Sequence, residues 1–222
     1  MQVSEASQSL SPPVRQSQSE RTGRSDAKMF DAAVKLIVEQ GSERTTLKAV
    51  GELAGYSRGL AGARFKSKTG LFNFVVKRVT EYWLEEIRMA IGNKIGYAAI
   101  CAAIDAHYRF SRKTPLPVRA FYILWFESVG VESDVRDTVL SIHQRRLSDV
   151  VDWIEQGIAA GEIPASVDAD AVARHFLTMM FGIVYQWLID PGQDKEIKLL
   201  HQQLKQSIGH MLKVPEISDQ VE

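Results

Sequence analysis

Apolar residues recur every three to four positions along almost the whole chain, and the every-second-residue alternation of a half-buried strand is sustained nowhere. Phe30, Ala33, Val34 and Ile37 fall at i, i+3, i+4 and i+7, the stripe of an amphipathic helix, and Gly41 supplies its stop. Thr45 and Thr46 can cap a short helix that runs to Leu53 or Ala54. Gly55 breaks it, and Ser57 caps a second short helix to about Arg64. Ser67 then caps a long helix marked by Leu71, Phe74, Val75, Arg78 and Tyr82, reaching about Ala90. Beyond Gly92 and Gly96, helices are predicted over 97–112, 116–129, 133–160, 168–189 and 194–213, separated by Pro115 and Pro117, Gly130, Gly161 with Pro164, and Pro191-Gly192. The predicted fold class is all-α, with about nine helices and no internal repeat.

Composition sharpens this picture in one respect. The formal net charge of the 222 residues is zero, but it is unevenly spread. Residues 1–80 carry 13 Lys/Arg and 7 Asp/Glu, a net of +6, whereas 81–222 carry 14 and 20, a net of −6. A basic front on an acidic back is the asymmetry expected when one half faces phosphates. With 45% hydrophobic residues the chain can bury a sizeable core. Its single cysteine, Cys101, lies in an apolar stretch with no basic neighbour and is expected to be a small core residue of a protein in a reducing, cytoplasmic compartment. No run reaches the roughly 18 uninterrupted apolar residues of a membrane span, and no membrane partner is expected. Residues 1–24, rich in Gln, Ser and Pro, are expected to form a disordered arm, and 215–222 a tail.

Residues 45–68 carry the chemistry. Two short helices meet at a tight glycine turn, and the second is flanked by Arg and Lys, the pattern of a helix-turn-helix whose second helix enters the major groove of DNA. Val50, Leu53 and Leu60 are expected to face inward and fix the angle between them. Thr45 and Thr46 sit at a helix start, where hydroxyls and free amides bind phosphate, and Lys48 lies close behind. Ser57, Arg58, Gly59 and Ala61 form the front of the recognition helix, with Arg58 the candidate for a bidentate guanine contact. Arg64, Lys66 and Lys68 gather at the start of the long helix, where charge and helix dipole both favour a phosphate.

From Ala27 to about Val79 the sequence resembles the N-terminal domain of the TetR family of regulators. The matching residues are Phe30, Ala32-Ala33, Gly41, Thr45-Thr46, Ala54-Gly55-Tyr56-Ser57, Gly59, Phe65, Ser67-Lys68 and Leu71. The resemblance implies three DNA-binding helices (25–80), a connecting fourth helix, and a C-terminal ligand-binding and dimerisation bundle (81–214). It also adds Tyr56 to the expected DNA-contacting residues. The family usually has Tyr where this chain has Gly62, and His or Tyr where it has Arg64, so a backbone contact from that Tyr does not carry over. Arg64 is expected to replace it electrostatically.

The remaining residues hold no independent motif. Aromatic residues are frequent there, and the resemblance places the helices of Trp83, Phe121 and Trp125 around the family's cavity, with Tyr122 beside them. Glu127 and His107 are polar residues in apolar helices and candidates to hydrogen-bond a ligand. Asp105 and His107 point to different helix faces, and His143 and His175 lack a ligating partner at i+4, so no catalytic group, metal or cofactor is expected. Residues 171–188, apolar on nearly all faces with Gly182 allowing close approach, and the stripe Ile197, Leu200, Leu204, Ile208 and Met211 suggest a four-helix dimer interface. The expectation is a homodimeric repressor that releases a near-palindromic DNA operator when a small, mostly apolar effector binds. A regulator controlled by a protein partner, and a small-molecule-binding bundle without a DNA role, remain as alternatives.

Overall fold

The computed structural model describes residues 17–130 and 135–214, and within them the chain forms helices and no strand. The head comprises α1 (Gln18–Arg44), α2 (Leu47–Leu53), α3 (Arg58–Phe65) and the start of α4 (Lys68–Ile91). The body adds α5 (Gly96–Lys113), α6 (Pro115–Glu127), α7 (Arg136–Ala159), α8 (Ala169–Ile189) and α9 (Asp194–Met211). Gly41 interrupts α1 with a φ of 81°, as expected for a left-handed stop.

Three hydroxyls start the next three helices. Thr46, Ser57 and Ser67 each accept a hydrogen bond from the backbone N–H three residues on, in Ala49, Leu60 and Gly70. Phe74 of α4 then ties the head together, 6.3 Å from the ring of Phe30 on α1 and 5.0 Å from that of Phe65 on α3.

The body continues the same core. α6 lies against α1, α4 spans head and body, and α5 packs on α4, α7 and α9. The core of α6 is aromatic: Phe121, Tyr122 and Trp125 contact one another, and both Tyr122 and Trp125 meet Phe181 of α8. α8 is long and apolar enough to cross a bilayer, but here one face packs between α7 and α9.

Three expectations change. The arm expected over 1–24 is helical from Gln18, because Ser17 and Glu20 form a capping box in which each side chain bonds the other's backbone N–H. Residues 1–16 and the tail 215–222 lie outside the described residues. The α9 stripe is turned into the chain's own core, with Ile197, Leu204 and Ile208 buried against α5 and α8. On α8 only one side is covered: Val172, Phe176, Met180, Ile183 and Trp187 are buried, while Met179, Gly182, Tyr185 and Ile189 face outward.

Candidate DNA-binding head and effector cavity

α2 and α3 approach closely across Gly51, where an added Cβ would stand 3.1 Å from the Ser57 carbonyl oxygen and 3.4 Å from Ala61 Cβ. That contact fixes the rotation of α3. Ala61 is 0% exposed, so it is a packing residue and not a DNA contact as the sequence suggested. Leu60 takes the opposite place, at 42% exposure, and Leu53 is 47% exposed where both were expected inside. Thr45 is also withdrawn from the surface: it is fully buried and its hydroxyl donates to the Gly41 carbonyl 2.8 Å away, securing the end of α1.

Several of the other expected contacts lie at the surface of the head. Thr46, Lys48, Ser57, Gly59 and Lys66 are exposed. Arg58 is the first residue of α3, the position from which base edges are usually read. Tyr56 is half-buried against the core, with the Lys28 ammonium 5.8 Å from its ring centroid. Lys48 lies 3.9 Å from the Glu52 carboxylate one turn on, and two of the other basic residues are more closely engaged. Arg64 grips Asp26 of α1 side-on through one guanidinium edge, Nε donating to Oδ1 over 2.7 Å and Nη2 to Oδ2. Lys68 donates to the Glu43 carbonyl over 2.7 Å, which docks the start of α4 on the end of α1. At Gly62 an added Cβ would meet nothing within 4 Å, so no packing demand explains the glycine.

In the body, a cavity of about 50 Å³ lies among α4, α5, α6, α7 and α8. Trp83, His107 and Tyr122 line it, as expected from the sequence. Phe121 lines a smaller adjoining void with the same Trp83, His107 and Tyr122. Trp125 lines neither: it stands behind, against Phe121, Tyr122, Phe181 and His143. Glu127 is exposed at the last turn of α6 and does not reach the cavity. Missed by the sequence reading were Arg146 and Asp149 of α7 and Met180 of α8, while Trp153, Phe176 and Phe181, among the body's frequent aromatic residues, were not singled out. Arg146, Val150 and Trp153 keep helical spacing i, i+4, i+7, so the signal was a cation in register with an apolar stripe.

His107 carries the cavity's buried polar network. His201 Nδ1 lies 2.7 Å from the Ile197 carbonyl, which can only accept, so this nitrogen donates. Its Nε2 must then accept from His107 Nδ1, 3.0 Å away, if both rings are neutral. Both are held in that form: burial pushes the imidazole of each below its ordinary range, and for His107 the neighbouring His201 and Arg146 add to the effect.

Comparison with known proteins agrees with this architecture. The family described as "Bacterial regulatory proteins, tetR family" matches residues 30–75, and the "Tetracyclin repressor-like, C-terminal domain" matches 96–190. The chain is 22% identical over 210 residues to the uncharacterized HTH-type transcriptional regulator YfiR of Bacillus subtilis, covering 93% of this chain and 100% of YfiR. Among solved structures it superposes on SmeT, the repressor of the Stenotrophomonas maltophilia multidrug efflux pump SmeDEF, with a TM-score of 0.70 at 17% identity, over 88% of this chain and 93% of SmeT. It also superposes on Bacillus subtilis FadR in complex with stearoyl-CoA, with a TM-score of 0.70 at 16% identity, over 82% and 96% of the two chains. A head with capped α2 and α3 on a helical body, matched in both halves by the family's two domains, places this chain in the TetR family of transcriptional regulators.

Proposed function

We propose that the protein is a homodimeric repressor that leaves its operator when a small, mostly apolar effector enters the body cavity. The observation that carries this reading is that α4 serves both sites. Its first residue, Lys68, docks on the end of α1 in the head, while Trp83 and Ile87 farther along line the cavity. Some 16 residues separate Ser67 from Trp83, roughly 24 Å of helix at 1.5 Å per residue, so a small tilt of α4 at the cavity is carried to the head. An effector that fits one tilt better than another shifts the population by its differential affinity. SmeT and FadR, which share the fold, are respectively a repressor of an efflux pump and a regulator holding stearoyl-CoA, which supports a ligand-filled body.

Dimerisation rests on the outer face of α8. Met179, Tyr185 and Ile189 are exposed there around Gly182, whose Cα has open space above it, and Leu199 of α9 is exposed as well. Pairing this face with its two-fold mate would cover these residues and set two α3 helices about 34 Å apart, one turn of B-DNA. Thr46, Lys48, Ser57, Arg58, Gly59, Lys66 and Lys68 would meet DNA, the hydroxyls and lysines on phosphates and Arg58 on a guanine. Exposed Leu60 suits a thymine methyl group.

Fluorescence anisotropy with the DNA upstream of the protein's own gene tests this. Binding should weaken steeply with salt, by about 10³-fold or more between 50 and 200 mM if six or more phosphates are contacted. Arg58→Ala should relax sequence preference, whereas Lys66→Ala should weaken binding to all sequences alike. Salt-insensitive or absent binding by the folded protein would overturn the reading.

A further inference from the structure

Two of the side chains around the cavity carry charge, Arg146 and Asp149, close together on α7. Their surroundings differ. Asp149 faces the solvent-exposed Arg145, whose Nε is 3.9 Å from its carboxylate; burial and the neighbouring Asp152 push its carboxyl up toward the neutral form against the pull of Arg145 and Arg146. Arg146 forms no ion pair with any carboxylate among the described residues. Its guanidinium carbon lies 5.2 Å from the Phe121 ring centroid and 5.1 Å from that of Trp125, which holds the cation in place without neutralising it. Its Nε–H is shut away from solvent and has no acceptor. A buried donor on a charged group without an acceptor costs free energy that a bound acceptor recovers.

The Arg146 charge, offset only in part by Asp149 without an ion pair, is felt across the site. Arg146 contributes to holding both His107 and His143 below the usual imidazole range, after burial in each case. A second cation near the cavity would be repelled by the same field, and an anion drawn in. The other walls are apolar and aromatic: Trp83, Trp153, Phe176, Met180 and Phe181.

We propose that the effector is an organic acid, a hydrophobic body bearing a carboxylate that takes Arg146 as its counter-ion. This rests on the effector reading of the cavity given above. Side-on pairing through Nε and one Nη gives the carboxylate two parallel hydrogen bonds, the arrangement in which a guanidinium recognises it best. The aromatic walls hold the body. The present 50 Å³ has room for a few waters only, so the acid enters by moving wall side chains, and that motion includes Trp83 on α4.

Matched probes of one shape decide the class: 2-naphthoate, its methyl ester and 2-naphthylmethylamine, titrated calorimetrically into the full-length protein, with operator release followed by anisotropy. The acid should bind at least tenfold more tightly than the ester and release DNA at correspondingly lower concentration. Arg146→Met, checked for folding by circular dichroism, should bring acid and ester within about threefold of each other. Arg146→Lys, which keeps the charge but loses the fork, should fall between. An ester that binds as well as the acid, or an amine that binds better, overturns the acid class while leaving the cavity an effector site. If none of the three binds or releases DNA, both the acid proposal and the effector reading fail.

Discussion

Head and body share one core but are held by different kinds of interaction. In the head, three successive helices start on hydroxyls that bond within three residues, and the turn between α2 and α3 closes on backbone contacts. In the body, α5, α6, α7 and α9 start with no side-chain cap, and order comes from residues far apart in sequence. His107 meets His201, Arg146 meets Phe121 and Trp125, and Tyr97 donates to the Lys205 carbonyl over 2.9 Å. A locally determined head can keep its shape while the body that positions it adjusts, which is what a switchable DNA-binding protein requires.

The largest separation of the two regions should come from Gly157→Ala. α7 crosses α5 so closely there that a Cβ would stand 2.7 Å from Gly96 Cα and 2.7 Å from Ile163 Cδ1. Neither a backbone atom nor a buried isoleucine yields freely, so about 1–3 kcal/mol of stability should be lost, read as a lower urea midpoint. The head does not touch this contact. Operator affinity of the protein that remains folded should stay within about twofold of the parent. A joint loss of affinity would show that the head depends on the α5–α7 crossing.

Acid should act on the same division. All five histidines lie beyond residue 100, so the head has none. Burial holds His107 and His201 neutral; His201 and Arg146 add to the effect at His107, and Lys205 adds to it at His201 against the Ile197 carbonyl and Asp105. Their folded pKa values lie below the unfolded value near 6.5, so below that pH the unfolded chain binds protons that the folded chain refuses. Stability should therefore be flat above about pH 6.5 and fall as pH drops below it. Urea midpoints at pH 7.5 and 5.5 measure this, and His107→Gln, which can still donate to His201, should shrink the difference. An unchanged difference would assign the acid sensitivity elsewhere.

What the sequence made legible follows the same line. The caps at Thr46, Ser57 and Ser67 and the stop at Gly41 are local devices, and they appear where a local pattern places them. The capping box at Ser17 and Glu20 was equally local and could have moved the start of α1 from the mid-twenties to Gln18. The phase of α3 was not legible. Its eight residues offer few apolar positions, and the larger Leu60 looked like the better core residue. The backbone approach at Gly51 reverses that choice, because only a side chain as small as Ala61 fits there. Arg146, next to Arg145, carries no local sign of its surroundings. Its ring partners are more than 20 residues away on α6, and no spacing rule connects them.

Smaller effects probe the head itself. Gly62 lies inside α3 with open space where a Cβ would be. Gly62→Ala should stabilise the protein by about 0.4–1 kcal/mol by restricting the unfolded chain, seen as a higher urea midpoint. Operator affinity should not fall, since alanine adds little toward DNA. A weakened complex would mean that close backbone approach at Gly62 is used in recognition.

The smallest expected change concerns Asp26. Its carboxylate occupies the Nε–Nη2 edge of Arg64, a residue otherwise placed at the end of the recognition helix where a phosphate could be met. Arg64 is 46% exposed, so the pair contributes at most about 1 kcal/mol to stability after solvent screening. Asp26→Asn removes the charge, leaves a similar shape and releases Arg64 for DNA. If Arg64 then reaches a phosphate, the slope of log K against log salt should steepen by about 0.9, the yield of one added phosphate contact on duplex DNA. Affinity at low salt should rise severalfold on specific and unrelated DNA alike, since the new contact reads no base. The double substitution Asp26→Asn with Arg64→Gln should cancel the gain. A steeper slope that survives the double change would trace it to the lost negative charge of Asp26 alone, and Arg64 would then be a strut between α3 and α1 with no part in holding DNA.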